Sequence, residues 1–157
     1  MQQMVTGAYV MDSAFTRACL GFSAGAIAAL LFHQGLAEIF DLTGIGRMAA
    51  FRLQPVWPFG LPGVVNLSFW SALYGVAFAL ALPHLRRPIW QVGIGLGLIA
   101  GVVTLFVTLP LNGIPLAHGW HTWPIARTII LNLCWGLGTG MLLPMLQPRP
   151  LLRSVSA

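Results

Sequence analysis

The sequence predicts an all-α fold: a polytopic membrane protein built as a compact bundle of four transmembrane helices in one domain covering residues 1–157. Three observations predict it. Four apolar segments, approximately Arg17–Phe40, Pro62–Pro83, Ile89–Pro110 and Trp123–Leu146, each reach the ~20 residues that a helix needs to cross a hydrocarbon core about 30 Å thick. Charged residues are 7% of the chain and hydrophobic ones 57%, with a mean hydropathy of +0.83. A soluble domain averages about 25% charged, so this chain could not clothe a globule in water. Finally, small residues recur at four-residue spacing in every segment, the pattern by which helices approach closely in lipid.

The first span carries Gly21, Gly25 and Ala29 on one face, and the second Ser71, Gly75 and Ala79. The third carries Gly93, Gly97 and Gly101, and the fourth Gly136 and Gly140. The alternative is that glycine is simply common in membrane helices. Four stripes together favour a packed bundle. An internal echo suggests two repeated helical hairpins. It aligns Asn66, Trp70 and Gly75 with Asn132, Trp135 and Gly140, and Leu82-Pro83 with Leu143-Pro144. The spacings do not match throughout, so chance likeness between glycine-rich spans is an equal explanation.

Between the spans, Asp41–Leu61 is the longest connection. Its Gln54–Gly60 segment, rich in Pro and aromatic residues, cannot continue a helix and suits the headgroup layer. His84–Pro88 is a tight turn, and Leu111–Thr122 is again rich in Gly, Pro and aromatic residues. Residues 1–16 form a mixed arm expected at the interface. Arg17 followed by an apolar core has the outline of a signal peptide. The long leader with Asp12, the lack of a small-residue cleavage site and apolar continuation to Phe40 favour a retained span.

The net charge is +5, and every basic residue is Arg. These arginines are scattered at span ends rather than gathered on a face, which excludes nucleic acid as the partner. Arg17, Arg86, Arg87, Arg149 and Arg153 flank one side of the four-span arrangement, against Arg47 and Arg52 on the other, with Arg127 just inside the fourth span. The positive-inside rule then places both termini in the cytoplasm, and Arg-only usage with abundant Ala and Gly points to a bacterial inner membrane. Cys19 and Cys134 form no C-x-x-C pair and read as small buried hydrophobes.

Polar residues gather in the half of the bundle near the two long connections. His33 continues the Gly21–Gly25–Ala29 stripe, with Gln34 and Glu38 on a neighbouring edge. Asn66 opens the second span. Thr104, Thr108 and Asn112 continue the third stripe, and Thr128 and Asn132 precede the fourth. The expectation is a polar pocket there, with Glu38 paired to Arg127, because an ionised group inside a span costs about 2.5–3.5 kcal/mol on insertion scales. The pocket is either a ligand- or proton-binding site or a purely structural network.

His118 and His121, with His33 beneath them, are weak candidates for a three-histidine metal site; no acidic ligand stands beside them, and no metal is expected. No catalytic triad, carboxylate pair or phosphate loop is present, and only His33 is deep enough for haem ligation. No cofactor is expected.

The Phe32-His33-Gln34-Gly35 stretch, the Gly60-Leu61-Pro62 start with Asn66 and Trp70, and Asn132-x-x-Trp135-Gly136 together resemble a group of small, uncharacterised bacterial four-span integral membrane proteins. The resemblance covers most of residues 17–146. It implies a fold and an inner-membrane address, and no activity. The function expected is a non-enzymatic accessory, assembly or scaffold subunit of a larger membrane complex, whose partners are the lipid bilayer and other membrane subunits or further copies of itself. The alternatives are an oligomeric transporter or channel using the polar pocket, and a lipid- or quinone-acting enzyme with His33 as base.

Overall fold

A computed structural model describes residues 13–45 and 49–147. Most of the N-terminal arm, together with Arg47, Arg149 and Arg153 from the charge argument, lies outside the described residues. Four helices are long and apolar enough to span a membrane: α1 (Ala14–Leu42), α2 (Gly63–His84), α3 (Ile89–Leu111) and α4 (Thr122–Met145). Helix α1 begins earlier than its apolar segment because Ser13 caps it, the Ser13 hydroxyl accepting from the Thr16 N–H at 3.0 Å. The only strands among the described residues are β1 (Pro55–Val56) and β2 (Leu61–Pro62), an antiparallel ribbon within the first connection. That connection folds back onto the start of α2: the Gly63 N–H donates to the Gln54 carbonyl at 3.1 Å and the Val64 N–H to that of Arg52 at 2.9 Å. Its Phe59 ring then lies against Phe69 and Trp70, with centroids 6.1 and 6.3 Å away.

Neighbouring helices run antiparallel, and backbone contact at glycine holds them together. A Cβ placed on Gly21 would collide with the Gly75 carbonyl, and one on Gly25 with the Ser71 carbonyl. A Cβ on Gly75 would collide with the Gly21 carbonyl. On the other side, a Cβ on Gly93 would lie 2.6 Å from the Gly136 carbonyl oxygen, and one on Gly97 2.5 Å from that of Asn132. No side chain larger than hydrogen fits these crossings, so α1 clasps α2 and α3 clasps α4.

The two clasps repeat one pattern. Gly21 and Gly25 correspond to Gly93 and Gly97, each 72 residues on, while Ser71, Gly75 and Ala79 correspond to Asn132, Gly136 and Gly140, each 61 residues on. This register differs from the one the sequence suggested: Gly75 matches Gly136 rather than Gly140, and Asn66 matches Arg127 rather than Asn132. Tyr74 then corresponds to Trp135, and these two rings meet edge to face with centroids 6.1 Å apart.

The match ends there. Helix α1 also packs against α4, whereas α2 and α3 meet only sparingly although a short turn joins them. Gly138 admits the Phe32 ring of α1, and the Trp135 indole N–H donates to the Gly25 carbonyl at 3.0 Å. Near the short-turn end the interior is apolar, built on Ala24, Phe78, Ala79 and Leu143.

Helix α2 ends in a 3₁₀ turn, Leu82–His84, and two other helices carry π segments. Ala29–Gln34 in α1 and Thr104–Thr108 in α3 are π-helical. Each begins four residues after a carbonyl that takes an extra side-chain donor. Gly25 accepts from Trp135, and Ala100 accepts from the Thr104 hydroxyl at 2.8 Å. The Trp135 N–H comes from another helix and inserts into the ladder, a recognised cause of such distortion, whereas the Thr104 bond is of the kind that Ser68, Thr128 and Thr139 make within unbroken α-helix.

Candidate functional site

The residues beyond each π segment do not face where α-helical periodicity places them. A π segment winds the following helix by about one residue, roughly 100°. In α3 the buried stripe Gly93–Gly97–Gly101 passes to Leu105, and Thr108 and Asn112 turn outward. Asn112 is exposed and its amide donates to the Thr108 carbonyl at 2.8 Å, so it takes no part in a shared pocket. In α1, Glu38 lies beyond the π segment and is half-buried. Among the described residues no ion pair joins it to Arg127, correcting the expected bridge, and the Arg127 Nε is buried without a partner.

The remaining polar side chains form two separate groups at the long-connection end. In the first, Gln34 is buried and its Oε1 accepts from the Phe51 N–H at 2.6 Å, tying the first connection to α1. Phe51 sits in the left-handed region, φ 50°, to present that N–H. The Gln34 Nε2 then faces His33 Nδ1 at 3.3 Å, and His33 is buried. A backbone N–H can only donate, so Gln34 turns its oxygen to Phe51 and its NH₂ to His33. His33 Nδ1 is therefore the acceptor, the imidazole is neutral, and its proton sits on Nε2.

The second group runs along α4. Thr128 Oγ1 donates to the Pro124 carbonyl at 3.0 Å, so His118 Nε2, 3.0 Å from the same oxygen, must donate to it. Asn132, buried, gives its amide to the Thr128 carbonyl at 2.9 Å. His118 is held by a left-handed turn in which Ala117, His118, Gly119 and Trp120 all have positive φ (45°, 53°, 64° and 65°). Each non-glycine residue there costs about 1–2 kcal/mol. Burial, together with the nearby Arg127 charge, lowers the His118 pKa below its ordinary value.

The structure thus brings His33 together with Gln34, and Thr128 with Asn132. It joins neither His33 to Asn66 nor His33 to Asn132 by a hydrogen bond, and the Asn66 Oδ1 is buried without a partner. The reason is economy of reach: Thr104, Asn112, Thr128 and Asn132 each bond a carbonyl one turn back on their own helix. His118 contributes a single bond to Thr128, and no group of three His, Cys, Asp or Glu able to hold a metal occurs among the described residues.

Sequence reasoning missed Phe51 and Trp135 as members of the polar framework. Trp135 had a signal, a donor-bearing ring in a small-residue stripe. Phe51 contributes only its backbone and had none.

Two grooves lie elsewhere. One of about 380 Å³ is lined by Ala18, Cys19, Phe22, Ser23 and Val76, the other of about 340 Å³ by Ile94, Ile130, Leu133, Cys134 and Leu137. They sit on equivalent flanks of the two clasps, Phe22 answering to Ile94 and Val76 to Leu137, and both are mostly apolar surface at bilayer depth.

No family model, no curated protein and no solved structure matches this chain.

Proposed function

We propose that the protein is a non-enzymatic small integral membrane protein, an accessory, assembly or scaffold subunit of a larger complex in a bacterial inner membrane, with both termini on the cytoplasmic side. The observation that carries this reading is how the interior is filled. Glycine backbones close both clasps. Thr104, Asn112, Thr128 and Asn132 bond carbonyls one turn back on their own helices, and the short-turn half of the core is apolar but for Thr139, whose hydroxyl is likewise taken up by the Trp135 carbonyl. A carrier needs free polar groups along a path across the membrane; here most buried polar groups gather at one end, and the one in the other half, Thr139, is bonded to its own helix. The sparse meeting of α2 and α3, where the equivalent α1–α4 contact is dense, supports a seam that a further helix would complete, from a partner subunit or a second copy.

Native mass spectrometry after gentle solubilisation tests the proposal. The expected result is a fixed stoichiometry with another membrane subunit or with itself. A monomer carrying only lipid at every protein concentration overturns it.

A further inference from the structure

We infer that His33 Nε2–H is the recognition point for the carbonyl oxygen of an uncharged, lipid-soluble molecule that enters beside the first connection. The inference is independent of the assembly role and stands even if the protein is monomeric. It begins with the relay already described, in which the Phe51 N–H fixes the Gln34 amide and the amide fixes the His33 tautomer. The relay leaves one polar atom over. Nε2 bonds to no described residue, although His33 is only 9% exposed. Unlike Asn66 Oδ1 and Arg127 Nε, it is not sealed from the surface. A donor without a partner in a span is costly, and nearly all such groups are satisfied.

The chemistry of the missing partner follows from the relay. It must accept a hydrogen bond, because Nε2 carries the proton. It is uncharged, because an anion at bilayer depth would be buried without a counter-charge: the imidazole is neutral, and Nδ1 takes no proton while Gln34 donates to it. It must reach bilayer depth: His33 is five residues past Ala28, the midpoint of α1. That is about 7–8 Å from the middle of a core of half-thickness about 15 Å. A ketone oxygen of a quinone-type ring meets all three conditions at that depth; the glycerol ester of a phospholipid, which lies at the edge of the core, is the other carbonyl source and meets the third only where the bilayer thins against the first connection.

The two sources are separated by nuclear magnetic resonance of ¹⁵N-histidine-labelled full-length protein in three nanodiscs. The first holds ester-linked dioleoyl phosphatidylcholine, the second its ether-linked, carbonyl-free counterpart, and the third the ether lipid with added decylubiquinone. His33→Gln assigns the resonance by its loss. The expected result is an Nε2-protonated ring in all three, with the Nε2 proton shifted downfield wherever a carbonyl is supplied. A saturable response to decylubiquinone identifies a free carbonyl amphiphile, and a response confined to ester lipid identifies the phospholipid. An Nδ1-protonated ring, or the same proton resonance in all three membranes, overturns the proposal. Gln34→Glu adds a second arm. Its carboxylate still accepts from Phe51 but has no N–H for Nδ1, so the proton moves to Nδ1, Nε2 becomes an acceptor and the response vanishes. Persistence of the response in Gln34→Glu also overturns the proposal. Should that variant fold poorly, the comparison of the wild-type protein across the three membranes still decides.

Discussion

A methyl group on Gly136 would lie 2.6 Å from the Gly97 nitrogen and 2.8 Å from its Cα, both backbone atoms that cannot swing aside. Gly95, on the same helix as Gly97, has nothing within 4 Å of where its methyl would point. Gly136→Ala is therefore expected to destabilise by about 1–3 kcal/mol, as overpacking does. Gly95→Ala is expected to be neutral or to stabilise by up to about 1 kcal/mol through helix propensity. Unfolding by titration with a denaturing detergent reads both, and equal tolerance would mean that the α3–α4 crossing does not hold the bundle. His118 makes a pH prediction at the same scale. Its folded pKa lies below the unfolded one, so its contribution is fully present above the unfolded pKa and declines as pH falls toward the folded value. The melting temperature should drop between about pH 7.5 and about pH 5.5, bracketing the ordinary histidine value. His118→Gln should remove part of that drop.

At the scale of elements, the two π segments explain which expectations fail. The span positions were legible, since length and hydropathy alone locate α1 to α4 within a few residues. The faces before each π segment were legible too, as Gly21, Gly25, Gly93 and Gly97 are buried where their spacing puts them. Beyond the segments the α-helical count runs one residue out: Thr108 and Asn112 leave the buried stripe that spacing gave them, and Glu38 does not pair with Arg127. Nothing in Ala29–Gln34 announces the change, for it contains neither Pro nor Gly. The donor at its entry, Trp135, lies 110 residues from Gly25. The second segment carries no distinguishing local cue either, since the Thr104 hydroxyl bonds its own helix just as those of Ser68, Thr128 and Thr139 do in regular α-helix. If the indole donor sustains the first segment, Trp135→Phe should cost about 0.6–1.7 kcal/mol, the range of hydrogen bonds between membrane helices. It should also speed amide exchange over Ala29–Gln34 more than over Thr104–Thr108. Uniform acceleration in both segments would show that ring packing alone, without the N–H, accounts for the loss.

The whole molecule is two like clasps joined unlike. Its repeat was half-legible: the Leu82-Pro83 and Leu143-Pro144 echo keeps the spacing that the contacts follow, while the Asn and Trp matches do not. Equivalence is set by which backbones touch, and Gly136 touches both Gly93 and Gly97 as Gly75 touches both Gly21 and Gly25. Residue identity away from the crossing is free to drift, so Asn66 answers to Arg127 and Tyr74 to Trp135. Two hairpins in this relation have their short-turn ends on one side, and that side carries Arg17, Arg86 and Arg87, while the described part of the other carries Arg52 and, inside α4, Arg127. If charge orients the bundle, the Arg86-Arg87 turn stays in the cytoplasm and the third connection faces outward. In a background with Cys19→Ala and Cys134→Ala, an impermeant thiol reagent applied to intact cells should label Ile114→Cys, which is exposed in that connection, and leave Arg87→Cys unlabelled until the membrane is broken. Labelling of Arg87→Cys in intact cells would reverse the orientation while leaving the fold untouched, because the glycine crossings are indifferent to which side of the membrane they face.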